Sequence, residues 1–370
     1  MRHSGPQSVL QIVGSIREYG AENFVPLLSR ELDRLGVSVA ILTVRGPVAQ
    51  SAGSVQVLTA GRRWRWDLGF FFRMVKIIRQ YQPTVVHTHG YHGKLWGRLA
   101  ARIAGIRTIV HTEHNSDFSS HAIQRVVNCV LNRSTDAVVT FSDVLAARLV
   151  KEDCVPLDRI VVIPNGVAPP ERKPGKFALH VHPPIEKGAK IILHVGRLMK
   201  VKNQQLAIRV CRELRDLHPN QRFCLLFAGS GEDEHALKEL AATLGVSDRV
   251  RFLGYRSDVD DIMRRCNVVL LTSLNEAMPL TVLEAMYAGT PIVTTPWHGA
   301  SELLEDGKLG CVTASYDPKT VATALSRWLD DRDGTMRAAD AAYSAVRSRF
   351  DIRITARQHA ALYSRFNLAN

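Results

Sequence analysis

The strongest constraint on the fold is an alternation, written twice along the chain, of short β-branched runs with longer segments carrying apolar residues at three and four spacing. That pattern specifies parallel sheets covered by crossover helices. In the first half it predicts strands at 8–13, 37–44, 55–58, 84–88, 107–111, 136–140 and 160–163, with helices at 22–35, 67–81, 92–104, 120–132 and 143–152. Pro164, Asn165-Gly166, Pro169-Pro170, Pro174-Gly175 and Pro183-Pro184 then interrupt it and mark a linker. The alternation resumes with strands at 190–195, 222–228, 250–253, 267–272, 290–294 and 309–313, and helices at 203–217, 233–244, 258–265, 279–288 and 318–330. A last stretch, 336–366, reads as helical without a strand partner. The expectation is two doubly wound α/β domains facing a central cleft: 1–168, a linker at 169–189, then 190–345, with a helix at 346–370 returning to the first domain. Ligands of such sheets sit beyond the carboxyl ends of the strands, so chemistry belongs on strand-to-helix loops.

At 370 residues, with 46% apolar and 22% charged side chains, the chain can fill two cores and is neither disordered nor fibrous. Against 35 acidic residues stand 48 basic ones, a formal net charge of +13, which favours an anionic partner. The six cysteines, at 129, 154, 211, 224, 266 and 311, form no Cys-x-x-Cys pair, and no His cluster has zinc-ligand spacing; this fits reduced thiols in a cytoplasmic protein without a metal. The run Val9 to Val13, interrupted by Gln11, is too short for a secretory core and reads as a strand. No stretch reaches membrane-span length, so membrane contact is expected only at the surface.

The sharpest constellation runs from Glu276 to Glu284, with Pro279 suited to a first helical turn. Two carboxylates near a helix start can accept hydrogen bonds from vicinal hydroxyls while free amides face anionic oxygens. The plainer alternative is a dipole-stabilising acid with a buried, paired Glu. Gly196-Arg197 to Lys202 follows an apolar strand, where two cations can clamp a diphosphate without metal; the alternative is an exposed basic helix start. His87, His89, His92, His111 and His114 stand near the ends of two consecutive strands, which suggests polar recognition with one or two structural members. Gly229-Ser230-Gly231-Glu232 lacks the third glycine of a dinucleotide fingerprint and reads as a tight turn. Asp258-Val259-Asp260-Asp261 reads as helix capping rather than a cation site. Residues 62–79 interleave basic and aromatic side chains, suited either to anionic lipid headgroups or to a crossover helix with aromatic core residues. No nucleic-acid recognition module accompanies them.

Taken together, Glu276 to Glu284, Gly196-Arg197 to Lys202, Ile163 to Val167, Ala228 to Glu232 and Phe252-Leu253-Gly254 resemble the GT4 family of retaining glycosyltransferases with the GT-B fold, two Rossmann-like domains. The resemblance spans nearly the whole chain and is strongest over 160–315. It implies a nucleotide-sugar donor, held mainly by the second domain, and a saccharide or lipid-linked acceptor, held mainly by the first; the nucleotide-sugar is a substrate, and no cofactor is implied. By motif, Gly196, Arg197 and Lys202 would hold the diphosphate, Glu276 the sugar, and Glu284 the ribose. Leu253, Gly254, Tyr255 and Arg256 would lie near the base, with Ala277, Met278, Pro279, Leu280 and Thr281 around the phosphates and sugar. His114 looks like the family histidine beside the reacting centre, with His89, Gly20, Ala21 and Glu22 on the acceptor side. One departure stands out: the family's Gly-Gly pair before an acid is here Tyr19-Gly20-Ala21-Glu22.

The sequence therefore predicts a cytoplasmic, metal-independent retaining transferase, using a UDP-sugar in preference to a GDP-sugar, in surface polysaccharide or glycolipid assembly. It predicts a contact of 62–79 with an anionic membrane and no binding of nucleic acid. The competing readings are a nucleotide-sugar epimerase of the same fold and a non-catalytic anion-binding protein.

Overall fold

A computed structural model describes residues 7–16, 21–45, 53–64, 67–90, 93–114, 122–170, 181 and 184–368. Gly20, His92 and most of the linker lie outside the described residues. The chain divides into two compact units, the first formed by Met1–Ala168 with Phe350–Asn370 and the second by Pro169–Arg349.

In the first unit, β1 (Ser8–Val13), α1 (Ala21–Arg34), β2 (Ser38–Thr43), β3 (Gln56–Thr59), α2 (Gly69–Tyr81) and β4 (Val85–His89) lead to a π-helical turn, Gly93–Gly97. Then come α3 (Arg98–Ile103), β5 (Thr108–Thr112), α4 (Ala122–Arg133), β6 (Ala137–Thr140), α5 (Asp143–Asp153) and β7 (Ile160–Val162). All pairings are parallel, in the order β3-β2-β1-β4-β5-β6-β7, so the winding reverses between β1 and β4. Phe70, Met74, Val75 and Ile78 bury one stripe of α2 against Leu10, Ile12 and Leu42 of the sheet. Each such side chain contributes about 1.5–3 kcal/mol. The predicted helix at 92–104 proves to open with the π turn. Gly93 and Gly97 press on β1 and β4 so closely that a Cβ there would lie 3.1 Å from the Ile12 carbonyl oxygen and 3.0 Å from Thr88 Cγ2 respectively.

The second unit contains β8 (Lys190–Val195), α6 (Gln204–Leu217), β9 (Phe223–Ala228), α7 (Glu234–Thr243), β10 (Val250–Gly254), α8 (Val259–Met263) and β11 (Val268–Leu271). It continues with α9 (Leu280–Ala288), β12 (Ile292–Thr294), α10 (Ala300–Leu303), β13 (Cys311–Val312), α11 (Pro318–Asp330) and α12 (Arg332–Arg349). Its parallel order is β10-β9-β8-β11-β12-β13, which reverses between β8 and β11. Ile192, Leu206, Phe223, Phe227, Val268 and Leu325 belong to its core.

The stretch read as helical over 336–366 forms two helices, α12 and α13 (Ile352–Leu368), broken at Phe350-Asp351, so the last helix begins at 352 rather than 346. The break has a cause. The Val167 amide donates to the Phe350 carbonyl at 2.9 Å, and the Ile352 amide donates to the Val167 carbonyl at 3.0 Å, so two residues leave the helix to bridge the end of the first unit. Asp351 then accepts from the Arg353 backbone amide, fixing the start of α13. From there α13 packs along α1.

Candidate active site

In doubly wound sheets the crevice forms at the point where strand order reverses, and in the second unit that point lies between β8 and β11. The loop after β8 holds Gly196, Arg197 and Lys202; the loop after β11 holds Ser273 and Glu276. They are joined by side chains: Lys202 Nζ donates to Glu276 Oε1 at 2.6 Å, and Ser273 Oγ donates to the same oxygen at 2.6 Å. Thr272 Oγ1 reaches the carbonyl oxygens of Lys202 and Asn203 at 3.1 and 2.8 Å, and the Leu274 amide donates to the Val201 carbonyl at 2.9 Å. His194, on β8, lies 3.2 Å from Thr272 Oγ1 and is held neutral, its pKa lowered to about 3 by burial and the nearby Lys202 charge.

Arg197 is exposed, its nearest acidic partner being Glu232 at 4.0 Å. The loop that carries it is clasped from below by Gly229 and Gly231. A Cβ on Gly229 would stand 2.1 Å from the Gly196 carbonyl oxygen, and one on Gly231 the same distance from that of Leu198. The Gly-Ser-Gly turn is thus a backbone clasp that sets the Arg197 loop. Beyond it, the Gly254 carbonyl accepts from the Gly229 amide at 2.8 Å, bringing the end of β10 alongside. Tyr255 is exposed there. Arg256 grips both carboxylate oxygens of Asp258, at 2.8 and 2.6 Å. Asp258 occupies the N-cap of α8, in keeping with the capping expected from the sequence, but its carboxylate makes no cap hydrogen bond and holds Arg256.

Helix α9 starts after Pro279, which occupies the N-cap with φ −70° and ψ 122° rather than the first turn expected of it, and its own side chain makes no cap hydrogen bond. The amides of Leu280 and Thr281 therefore lie at a helix start, where an anion is favoured. Ala277, Met278 and Pro279 are buried beneath this turn. Glu284, inside the helix, has its pKa pushed up to about 7, mainly by burial and secondarily by the neighbouring Asp260 carboxylate. Asp260 is itself raised, again chiefly by burial.

In the first unit the corresponding reversal lies between β1 and β4, and it is lined by imidazoles. His89 ends β4, and its Nδ1 lies 2.9 Å from His114 Nε2. His89 is buried with both ring nitrogens bonded, so it lies beneath the surface rather than on an acceptor loop as expected. His87 and His111 are interior as well, bonded to Tyr363, Thr112 and Thr88. His114 is partly exposed between Phe24 and Phe141. Its pKa is lowered to about 4, chiefly by burial. The preceding Glu113, although burial alone would raise its pKa, is held well below the usual carboxylate range by Lys94, 2.6 Å away. Ala21 and Glu22 open α1, and their side chains lie outside the described residues. Gln11 and Tyr363 were missed by sequence reasoning; the signal for the first was a lone amide inside an apolar strand, and the second carried none.

Among the described residues no group of three His, Cys, Asp or Glu is placed to hold a metal ion, and no helix is long and apolar enough to cross a membrane.

Two parallel doubly wound units, with cations, carboxylates and a helix start at the reversal point of one and imidazoles at that of the other, are the architecture of a two-domain α/β group-transfer enzyme. Residues 176–345 match the family model described as glycosyl transferases group 1, and residues 19–170 match Glycosyltransferase Family 4. A glycogen synthase from Mycobacterium tuberculosis is 30% identical over 295 residues, covering 77% of this chain and 69% of that protein. A UDP-Gal:α-D-GlcNAc-diphosphoundecaprenol α-1,3-galactosyltransferase from Escherichia coli is 28% identical over 287 residues, covering 72% and 71%. The structure of Anabaena HepE, solved with UDP and glucose, superposes with a TM-score of 0.80 at 20% identity over 97% of this chain and 99% of that one. The chain belongs to the GT4, group 1, family of glycosyltransferases, and its fold is GT-B.

Proposed function

We propose that this glycosyltransferase moves a sugar, with retention of configuration, from a UDP-sugar to a hydroxyl of a saccharide or lipid-linked acceptor in cell-surface polysaccharide or glycolipid assembly. The observation that carries the reading is the Lys202–Glu276 pair at the sheet reversal, flanked by Arg197 and the start of α9. A departing nucleoside diphosphate needs positive charge and oriented amides, and these supply both. In this reading Arg197, Lys202 and the Leu280 and Thr281 amides hold the diphosphate. Glu276 accepts from sugar hydroxyls, Glu284 from the ribose, and Leu253 to Arg256 border the base. His114 stands on the acceptor side, and neither a metal nor a cofactor is required. The UDP in the Anabaena complex and the UDP-galactose and diphosphoundecaprenol named for the Escherichia coli relative support the choice of donor and of a lipid-linked acceptor.

Peripheral contact with an anionic membrane is the second part of the proposal. Trp64, Leu68 and Phe72 are 61%, 63% and 71% exposed beside the exposed Arg63 and Lys76, while Phe70 of the same segment fills the core.

The test is a thermal-shift panel of UDP, GDP, ADP and their sugar conjugates, with and without magnesium, since a ligand bound only by the folded state raises its melting point. The expected result is a shift with UDP compounds that does not need magnesium. A GDP shift would change the donor, and no shift with any nucleotide would remove the donor site. A new epimer formed from UDP-sugar alone would replace the transferase reading with the epimerase one.

A further inference from the structure

A line of hydrogen bonds inside the first unit connects His114 to the last helix of the chain. Gln11 Oε1 lies 2.6 Å from His89 Nε2, and Gln11 Nε2 lies 3.3 Å from Tyr363 Oη. On one arm, His89 Nδ1 is 2.9 Å from His114 Nε2. On the other, Tyr363 Oη is 2.6 Å from His87 Nδ1, and His87 Nε2 is 2.7 Å from Thr112 Oγ1.

The chemistry of each group gives this line a direction. An amide carbonyl oxygen only accepts, so His89 donates from Nε2. A neutral imidazole carries one ring proton, so His89 Nδ1 accepts and His114 donates from Nε2. On the second arm the Gln11 amide donates to the Tyr363 oxygen, the phenol donates to His87 Nδ1, and His87 donates to Thr112. One amide orientation thus sets the tautomer of three imidazoles. The atom left over is His114 Nδ1, a lone pair that is buried and has no partner among the described residues. An unmet buried acceptor is costly, and a hydroxyl that donates to it removes that cost.

We propose that Gln11 and His89 are positioning residues that hold His114 as its Nε2-protonated tautomer, so that its Nδ1 lone pair accepts a hydrogen bond from a substrate hydroxyl. The tautomer half of this rests only on the first unit, while the hydroxyl half rests on the transferase reading above. His89 touches no substrate in this account; it acts through His114.

The experiment uses the full chain with 15N-labelled histidine, in which NMR shifts distinguish a protonated from an unprotonated ring nitrogen. Wild-type His114 is expected to show a proton on Nε2 and none on Nδ1. His89→Leu is expected to release that preference and to lower kcat for UDP-glucose turnover about tenfold, with the donor KM within twofold of wild type. His89→Gln, whose carbonyl can accept from His114 and whose amide can donate to Gln11, is expected to restore both the tautomer and most of kcat. The UDP-induced rise in melting point reports that each variant is folded and keeps its donor unit. A wild-type His114 protonated on Nδ1, an unchanged tautomer in His89→Leu, or equal damage by His89→Leu and His89→Gln would each overturn the proposal. If UDP gives no melting shift in wild type, the donor reading fails on that measurement, while the tautomer of His114 still decides this one.

Discussion

Lys202 and Glu276 hold each other at 2.6 Å, so removing one strands a half-buried charge on the other, whereas Arg197 stands exposed with its nearest acid 4.0 Å away. The two cations therefore separate stability from binding. Arg197→Ala is expected to leave the unfolding free energy within about 0.5 kcal/mol of wild type and to weaken UDP binding by about 1.5–3 kcal/mol, the range for a lost charge-assisted bond. Calorimetric titration checks it, and unchanged affinity would take Arg197 out of the site. Glu284 offers a test by pH. Its folded pKa, about 7, lies above the usual carboxyl value of 4.5, so the folded state binds the extra proton and stability from this group declines as pH rises between those values. Ribose hydroxyls donating to the carboxylate favour its ionised form, so UDP affinity should rise with pH through about 7. The UDP phosphates titrate nearby, but Glu284→Gln shares that contribution. The Gln variant should melt above wild type at pH 8, match it near pH 4, and show a flatter UDP pH profile; superimposable profiles would separate Glu284 from the ribose. Glu276, Arg197 and Lys202 were legible in the sequence because each follows a strand by a few residues. The Gln11 to Tyr363 bond was not: no local pattern relates positions 352 apart.

The secondary elements were legible wherever burial imposes a period. The buried parallel strands read as apolar runs, and α2 shows its stripe at Phe70, Met74, Val75 and Ile78. Reading failed where long-range backbone bonds overrule local propensity, as at Phe350-Asp351, and where glycines serve packing, as in the turn Gly93–Gly97. The Gly229-Ser230-Gly231 turn is of the same kind: its composition suggested a turn, but only the fold shows that it clasps the Arg197 loop. Gly231→Ala should therefore cost about 1–3 kcal/mol, as for an overpacked contact, and reduce UDP affinity by displacing Leu198; denaturant unfolding and titration report the two effects. For segment 62–79 the sequence allows a core role and a lipid-facing one, and the structure shows the core role for Phe70. Phe70 is core, while Trp64 and Phe72 are exposed on the surface of the first unit. Because these two support no core, Trp64→Ser with Phe72→Ser should leave the melting point unchanged and reduce sedimentation with phosphatidylserine-containing vesicles. Equal sedimentation would leave the segment as ordinary surface.

The chain as a whole leaves its first unit at Ala168, builds the second, and returns at Phe350 to complete the first. The tandem alternation made two sheets legible, and a last helix returning to the first domain was expected, but where that helix docks is a tertiary matter with only Asn165-Gly166 as its trace in the sequence. A Cβ on Gly166 would lie 2.5 Å from Thr355 Oγ1 and 2.7 Å from Ile352 Cα, so α13 can dock only against a glycine. Thr355 Oγ1 in turn donates to the Pro164 carbonyl at 3.2 Å. The same helix carries Tyr363, which bonds His87 and Gln11. Gly166→Ala should push α13 outward, open this buried network and lower stability by about 1–3 kcal/mol. The second unit has its own core. UDP affinity of the folded variant should therefore stay within twofold of wild type while sugar transfer falls, because the histidines at the first unit's reversal point lose their support. Titration with UDP at 25 °C alongside a turnover assay separates the two. Parallel loss of affinity and turnover would mean that the return segment governs the donor unit as well, and that the division of labour between the units is wrong.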